Sequence, residues 1–242
     1  DKRILVETKN NEGPGLTRNR GIRKSSGDYI VFLDSDDYIE SNYFELLYKE
    51  IIKTNSDVLF INAIQEQPNG KILKFEKMSY FKKYDRDQLI GCQMTGYMPW
   101  GGWRKVASHA LIKKNHLRYT DDIVGEEAIF SFELLRSAQK ICFIENYLYH
   151  YINRPESQSK SEEGSWEITL KKMRKHLEDK NIKNKYVESL NAFAFTVLIL
   201  WLDRNAKNWN SLQCEKKLRE KIIIFEKEYG WNLNKQVLRP EV

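Results

Sequence analysis

Three carboxylates within four residues, Asp34, Asp36 and Asp37, close the apolar run Tyr29-Ile30-Val31-Phe32-Leu33. Like charges so close repel one another, and a divalent cation is the usual way to make the arrangement favourable. An all-oxygen donor set suits Mg or Mn, which take one or two protein carboxylates and fill the rest of their shell with water and substrate phosphate. A calcium loop of the helix-loop-helix kind is excluded, because Tyr38 and Ile39 stand where a ligand and the obligatory glycine belong. The alternative is a solvated acidic turn that caps the next helix. The run before the acids lowers that alternative: Ile30 to Leu33, after the Gly27-Asp28 break, reads as a central strand buried on both faces, and open α/β sheets bind ligands at the C-terminal ends of such strands.

Further along, Gly125-Glu126-Glu127 opens a helical pattern, so both carboxylates sit where a helix N-terminus favours the ionised form. On the residues alone they read as plain first-turn helix charge. Trp100 and Trp103 stand in a Gly-rich stretch between Met94 and Ala107 with no clear period, the pattern of a functional loop. A lone His150 in a Tyr-rich strand reads as structural, and Arg18 as a helix-surface ion pair.

The elements that must position these residues follow from periodicity. Arg3 to Glu7 reads as a strand, Leu16 to Ser26 as a helix ending at Gly27, and Ile30 to Leu33 as the next strand, one parallel crossover unit. Ser41 caps a helix with Phe44, Leu47, Tyr48 and Ile51 on one face. Strands are expected at 57–62 and 71–75 and a short helix at 85–90. A helix is expected from Gly125 to about Ala138, and two strands at 140–144 and 147–152. Composition shifts near Pro155, and three helical patterns follow: Trp166/Leu170/Met173/Leu177, Tyr186/Leu190/Phe193/Val197/Trp201 and Leu218/Ile222/Phe225/Tyr229. This sets an α/β part over 1–158 and a helical part over 159–242.

Composition bounds the class. At 242 residues with 41% hydrophobic content, 12 Gly and 5 Pro, the chain is a folded globular protein. Three widely spaced cysteines support neither a disulfide framework nor a metal site, which makes a reducing cytoplasm the default. The net charge of +6 suits a phosphorylated substrate, nucleic acid or an anionic membrane. Lys and Arg are spread through every segment, which argues against nucleic acid. The longest apolar run, Ala192 to Leu202, carries Thr196 and is too short to span a bilayer.

Read together, Asn11-Glu12-Gly13, Thr17-Arg18-Asn19-Arg20-Gly21, Gly27-Asp28-Tyr29-Ile30 and Leu33-Asp34-Ser35-Asp36-Asp37 resemble the family 2 (GT-A fold) glycosyltransferases of bacterial cell-surface glycan synthesis. Trp103-Arg104-Lys105-Val106 resembles that family's Trp-Asn-Lys-Leu segment. Gly125-Glu126-Glu127 with Phe130 resembles its Gly-Glu-Asp-x-x-Phe, and Tyr147 to Ser157 its Leu-Tyr-x-Tyr-x-x-Arg-x-x-Ser. The resemblance covers roughly residues 1–160 and implies a Rossmann-like mixed sheet. It also implies an N-terminally incomplete domain, since members open with a strand, a helix and a strand that carry the nucleotide pocket.

By that resemblance the reaction is inverting transfer of a sugar from a nucleotide-diphosphate donor, a UDP-sugar first, to a glycan or lipid-linked acceptor. Asp36 and Asp37 would hold Mn or Mg on the diphosphate, and Asp34 would face the sugar or ribose. Arg18 and Arg154 would add cations near the phosphates, and Glu127, with Glu126 as local rival, would replace the family's usual aspartate base. Trp103, with Trp100, would stack on an acceptor sugar face or else belong to the core, and Lys105 and His150 would contact phosphate or acceptor, which completes the substrate-binding set. The family implies a cytoplasmic enzyme working peripherally at the inner face of the plasma membrane, with room for a homodimer. A second reading is a non-catalytic glycosyltransferase-like module that binds sugar or protein, the Asp-to-Glu change at 127 having removed turnover.

Overall fold

A computed structural model describes residues 1–122, 124–154, 166–206 and 209–229. The expected boundary near 155–165 lies outside the described residues. The chain runs α1 (Gly13–Lys24), β1 (Tyr29–Val31), β2 (Tyr38–Ile39), α2 (Tyr43–Thr54), β3 (Val58–Glu66), β4 (Ile72–Glu76), α3 (Arg86–Met94), β5 (Lys105–Ser108) and α4 (His109–Lys114). It continues through α5 (Ala128–Ser137), β6 (Ile141–Ile152), α6 (Trp166–Asp179), α7 (Val187–Ala206) and α8 (Ser211–Tyr229). The fold is a mixed sheet with helices around it, in the order β1-β5-β3-β6-β2 among the described residues, with β4 also on β3.

The sheet is organised on β3, not on β1. β6 pairs in parallel along one edge of β3, while β5 takes Val58 to Phe60 and β4 takes Ala63 to Glu66 on the other. Side chains alternate across a strand. Val58 and Phe60 therefore enter one core with Ile30, Phe130 and Phe132, and Leu59, Ile61 and Ala63 enter a second with Tyr43, Leu47 and Tyr149. β1 pairs only with β5, antiparallel, and of its three residues only Ile30 is buried. That corrects the expected central strand: three residues meet one neighbour, and Leu33 lies outside, 47% exposed.

The expected strand at 3–7 is a turn, closed by the Ile4 N–H donating to the Asp1 carbonyl at 3.1 Å, and then irregular chain with Ile4, Leu5 and Val6 exposed, held to α1 by ion pairs from Glu7 to Arg20 and Lys24. A strand needs a hydrogen-bonded neighbour, and no described strand runs alongside it, so the parallel crossover does not form. In α2 the buried positions are Tyr43 and Leu47, whereas Phe44 and Tyr48 face out, a face turned from the one expected. The two strands expected at 140–152 are one, β6. Pairing jumps from Phe60↔Phe143 to Asn62↔Tyr147, and the intervening residues bulge out, pinned where Asn62 Nδ2 donates to the Glu145 carbonyl at 2.9 Å.

All three C-terminal helical patterns form. Leu170, Met173, Leu177, Leu190, Phe193, Val197, Phe225 and Tyr229 join the same core as Phe60 and Phe130, so these helices complete the face of the sheet opposite α2. Lys183–Ala206 is long and apolar enough to cross a bilayer as a whole, and half of its apolar stretch is buried within the fold. The three cysteines are unpaired thiols.

Glu133 ties α5 to α6. His176 Nε2 lies 2.7 Å from one oxygen, and Arg136 donates to the other at 2.8 and 3.0 Å. Burial opposes the charge on Glu133, but the bonds to His176 and Arg136 prevail and draw its pKa from 4.5 down to about 2. A carboxylate whose pKa falls on folding stabilises the fold above its unfolded value and loses that contribution as pH drops through the folded one. Glu133→Gln is therefore expected to flatten the acid limb of a Tm-versus-pH curve between about pH 4.5 and 2. A variant curve parallel to the wild type would refute the assignment.

Candidate active site

The acidic loop after β1 is closed by the Asp37 N–H donating to the Asp34 carbonyl at 3.2 Å. Tyr149 of β6 holds it: the Tyr149 hydroxyl accepts the Asp34 N–H at 3.1 Å and donates to Asp37 Oδ2 at 2.7 Å. The other Asp37 oxygen accepts the Ile152 N–H at 2.8 Å. Burial pushes the Asp37 carboxyl up, against those two hydrogen bonds. Burial, with the fields of Asp37 and Asp34, also holds the Tyr149 hydroxyl far above the usual phenol value, so it stays protonated and donates.

Tyr149 is itself fixed by Trp103, whose ring stacks on it at 4.4 Å and on Tyr151 at 5.6 Å. The Arg104 guanidinium lies 3.8 Å from the Trp103 ring centre and pairs with Glu76 at 2.7 Å. Trp103 is 4% exposed. It presents no face to a sugar, contrary to expectation; it braces the tyrosine that braces the acids. Trp100 packs against Phe193. Tyr149→Phe would leave the Asp34 N–H and one Asp37 oxygen short of a partner, and is expected to cost about 1–3 kcal/mol in urea unfolding. A loss under ~0.5 kcal/mol would mean that water replaces the hydroxyl freely.

Arg18 connects the acidic loop to the second acidic stretch. It donates to Asp34 at 3.2 Å and to Glu126 at 2.7 Å. Asn19 on the same helix clamps the chain before that stretch: its Nδ2 donates to the Tyr119 carbonyl and its Oδ1 accepts the Tyr119 N–H, both at 2.9 Å. Gly15 permits this close approach, since a Cβ there would lie 2.2 Å from the Thr120 carbonyl oxygen. Glu126 and Glu127 follow Gly125 in a tight turn, with Glu127 at the N-cap of α5.

Among the described residues, Glu127 Oε2 is buried without a hydrogen-bond partner, and so is the Tyr119 hydroxyl. A Cβ on Gly102 would lie 3.4 Å from the first and 3.1 Å from the second, so both pack closely against that glycine. Burial alone would lower the Arg18 pKa; the fields of Glu127, Tyr119, Asp34 and Glu126 reverse this and raise it. Burial and the neighbouring Glu127 raise Glu126, with Arg18 opposing.

The remaining expected residues fall in two groups. Arg154 sits at the acidic loop, its Nε 3.8 Å from Asp36. Lys105 is buried and donates to the Trp100 and Gly101 carbonyls at 2.6 and 3.2 Å, so it shapes the loop in front of Glu127 instead of reaching a substrate. Burial lowers its pKa to about 8 against the pull of Glu127. His150 faces elsewhere, with Nδ1 2.8 Å from Glu66, Nε2 2.9 Å from Glu40, and its ring stacked on Tyr38. Both nitrogens already have carboxylate partners, so phosphate contact is not its role. Sequence reasoning missed Asn19, Tyr119, Gly102 and Tyr149. Two of these left a signal: Asn19 stands in the Thr17-to-Gly21 motif, and Tyr149 in the period-two run Tyr147, Tyr149, Tyr151 that marks one strand face.

The acids fit a hard cation in part. No three or more His, Cys, Asp or Glu side chains among the described residues converge as a ready-made metal site. Mg and Mn need only one or two carboxylates. Asp36 is half exposed at the loop tip, while both Asp37 oxygens accept a hydrogen bond and keep a lone pair each.

Known proteins resemble this chain. Residues 1–111 match the sequence profile "Glycosyl transferase family 2". Glycosyltransferase GlyA of Streptococcus pneumoniae is 29% identical over 174 residues, 69% of this chain and 25% of its own length. Cholesterol galactosyltransferase of Borreliella burgdorferi is 27% identical over 172 residues, 65% of this chain and 47% of its own. The chain thus spans between a quarter and about half of these relatives. The crystal structure of S. aureus TarS 1-349 in complex with UDP-GlcNAc superposes with a TM-score of 0.55 at 21% identity, over 94% of this chain and 56% of that one. It shares the GT-A fold. Residues 1–111, with the acidic loop and the helix that grips it, are thus similar to glycosyl transferase family 2.

Proposed function

We propose that the chain carries the reaction centre of an inverting, metal-assisted glycosyltransferase that moves a sugar from a nucleoside-diphosphate donor to a hydroxyl of a glycan or lipid-linked acceptor. The observation that carries this reading is the unpartnered Glu127 carboxylate oxygen, next in sequence to Glu126, which Arg18 joins to the acidic loop. In a single displacement the acceptor oxygen bonds to the anomeric carbon as the bond to the diphosphate breaks. Glu127 takes the acceptor proton, for which its free lone pair is suited. Asp36, seconded by Asp37, would hold Mg or Mn, which supplies Lewis-acid stabilisation of the departing diphosphate. Arg154 adds a half-exposed cation beside Asp36, and Arg18 keeps both acidic stretches in register. A UDP-sugar is the first donor to try, since the TarS structure that shares this fold holds UDP-GlcNAc.

The test compares Asp36→Ala with Ser35→Ala. The expected result is Mn-dependent hydrolysis of UDP-GlcNAc, and Mn binding by calorimetry, lost in Asp36→Ala and kept in Ser35→Ala. Equal behaviour of the two variants would overturn the metal assignment.

A further inference from the structure

The C-terminal helices carried no recognisable motif in the sequence, yet α6 meets the turn that bears Glu126 and Glu127. Gly125 has φ +77°, and a Cβ on it would lie 2.6 Å from Thr169 Oγ1, 2.9 Å from Thr169 Cγ2 and 3.0 Å from Trp166 Cζ3. The turn is therefore seated directly on the first two turns of α6. The Thr169 hydroxyl donates to the Val124 carbonyl at 2.8 Å, and Thr169 is 1% exposed. Lys172, one turn on, pairs with Asp121 at 2.8 Å and Asp122 at 2.7 Å. Asp122 in turn lies 2.6 Å from the Thr120 hydroxyl, and the Thr120 N–H donates to the Glu126 carbonyl at 3.0 Å. α6 is a firm support, with Leu170, Met173 and Leu177 fully buried and His176 bonded to Glu133 of α5.

We propose that α6 is a positioning element of the reaction centre: Thr169, with Lys172 behind it, sets the place of Glu127 through the Val124–Gly125 backbone. α1 holds the same turn by Arg18, Asn19 and Gly15, so the segment is gripped from two helices. A shift of about 1 Å in a reacting group can cost on the order of 10²-fold in rate. Only the activity part of the test rests on the proposed function.

Thr169→Val keeps the shape and removes the donor, Thr169→Ser restores it, and Lys172→Met cuts the outer link at a residue that is part exposed. Two quantities are read in the protein: kcat and KM for UDP-GlcNAc hydrolysis, and amide hydrogen exchange over 119–122 and 124–127. Thr169→Val is expected to speed exchange there by about 10-fold and lower kcat by about 10-fold, with KM within twofold and exchange in α7 unchanged. Thr169→Ser should recover both. Should Thr169→Val fail to fold, Lys172→Met gives the same pair of readings. Unchanged exchange in the segment, or faster exchange with wild-type kcat, would overturn the proposal. If the wild type hydrolyses no UDP-GlcNAc, that donor assignment falls, while the exchange measurement still decides whether α6 sets the turn.

Discussion

Glu127→Gln is expected to lower turnover by about 10²–10⁴-fold with the donor KM within about twofold, the signature of a lost proton acceptor. The substitution keeps the shape of the side chain and replaces one carboxylate oxygen by a donor. At Glu127 the buried oxygen has no partner to lose. The Arg18 and Lys105 cations lose the nearby Glu127 field, so a modest fall in stability is expected. A modest fall in Tm beside a collapsed kcat separates chemistry from damage. Glu126 is the internal control: it already accepts from Arg18 at 2.7 Å and stands one residue away. A large loss in Glu126→Gln with a mild one in Glu127→Gln would transfer the role of base to Glu126.

The second large effect is structural. Arg18→Met is expected to cost about 2 kcal/mol, measured by urea unfolding. Removing one partner of a fully buried pair costs about 3–5 kcal/mol. The smaller figure allows for solvent screening, since the Arg18 side chain is 17% exposed and its partners Glu126 and Asp34 are 13% and 34% exposed. With the guanidinium gone, burial and Glu127 would raise Glu126 further, since Arg18 is what opposes them. Adding Glu126→Gln should then recover about half of the loss, a coupling of ~1 kcal/mol. Strict additivity would show that Arg18 and Glu126 do not act as a pair.

Sequence and structure part company at definite places. The acids at 34–37 and the glutamates at 126–127 were legible because their residue types are unusual directly after an apolar run and a glycine, and a resemblance to known motifs supported them. Trp103, Lys105 and His150 were misjudged for one shared reason. Each has a polar or π group suited to a ligand, and the fold had already committed that group to Tyr149, to two loop carbonyls and to two carboxylates. Side-chain chemistry states what a residue can bind; only its neighbours state what it has left. The face of α2 was misjudged similarly, as Tyr43 in place of Phe44 begins the buried row.

What the sequence determined by itself was every described α-helix but α4, most of the strands and the two acidic stretches, since period, caps and breaks act over a few residues. What only the tertiary structure decided was which strand is central, which aromatics serve as braces, and that α1 and α6 both grip the turn bearing Glu127. Those outcomes depend on contacts between residues a hundred positions apart, such as Asn19 with Tyr119, and local pattern carries no information about partners at that distance.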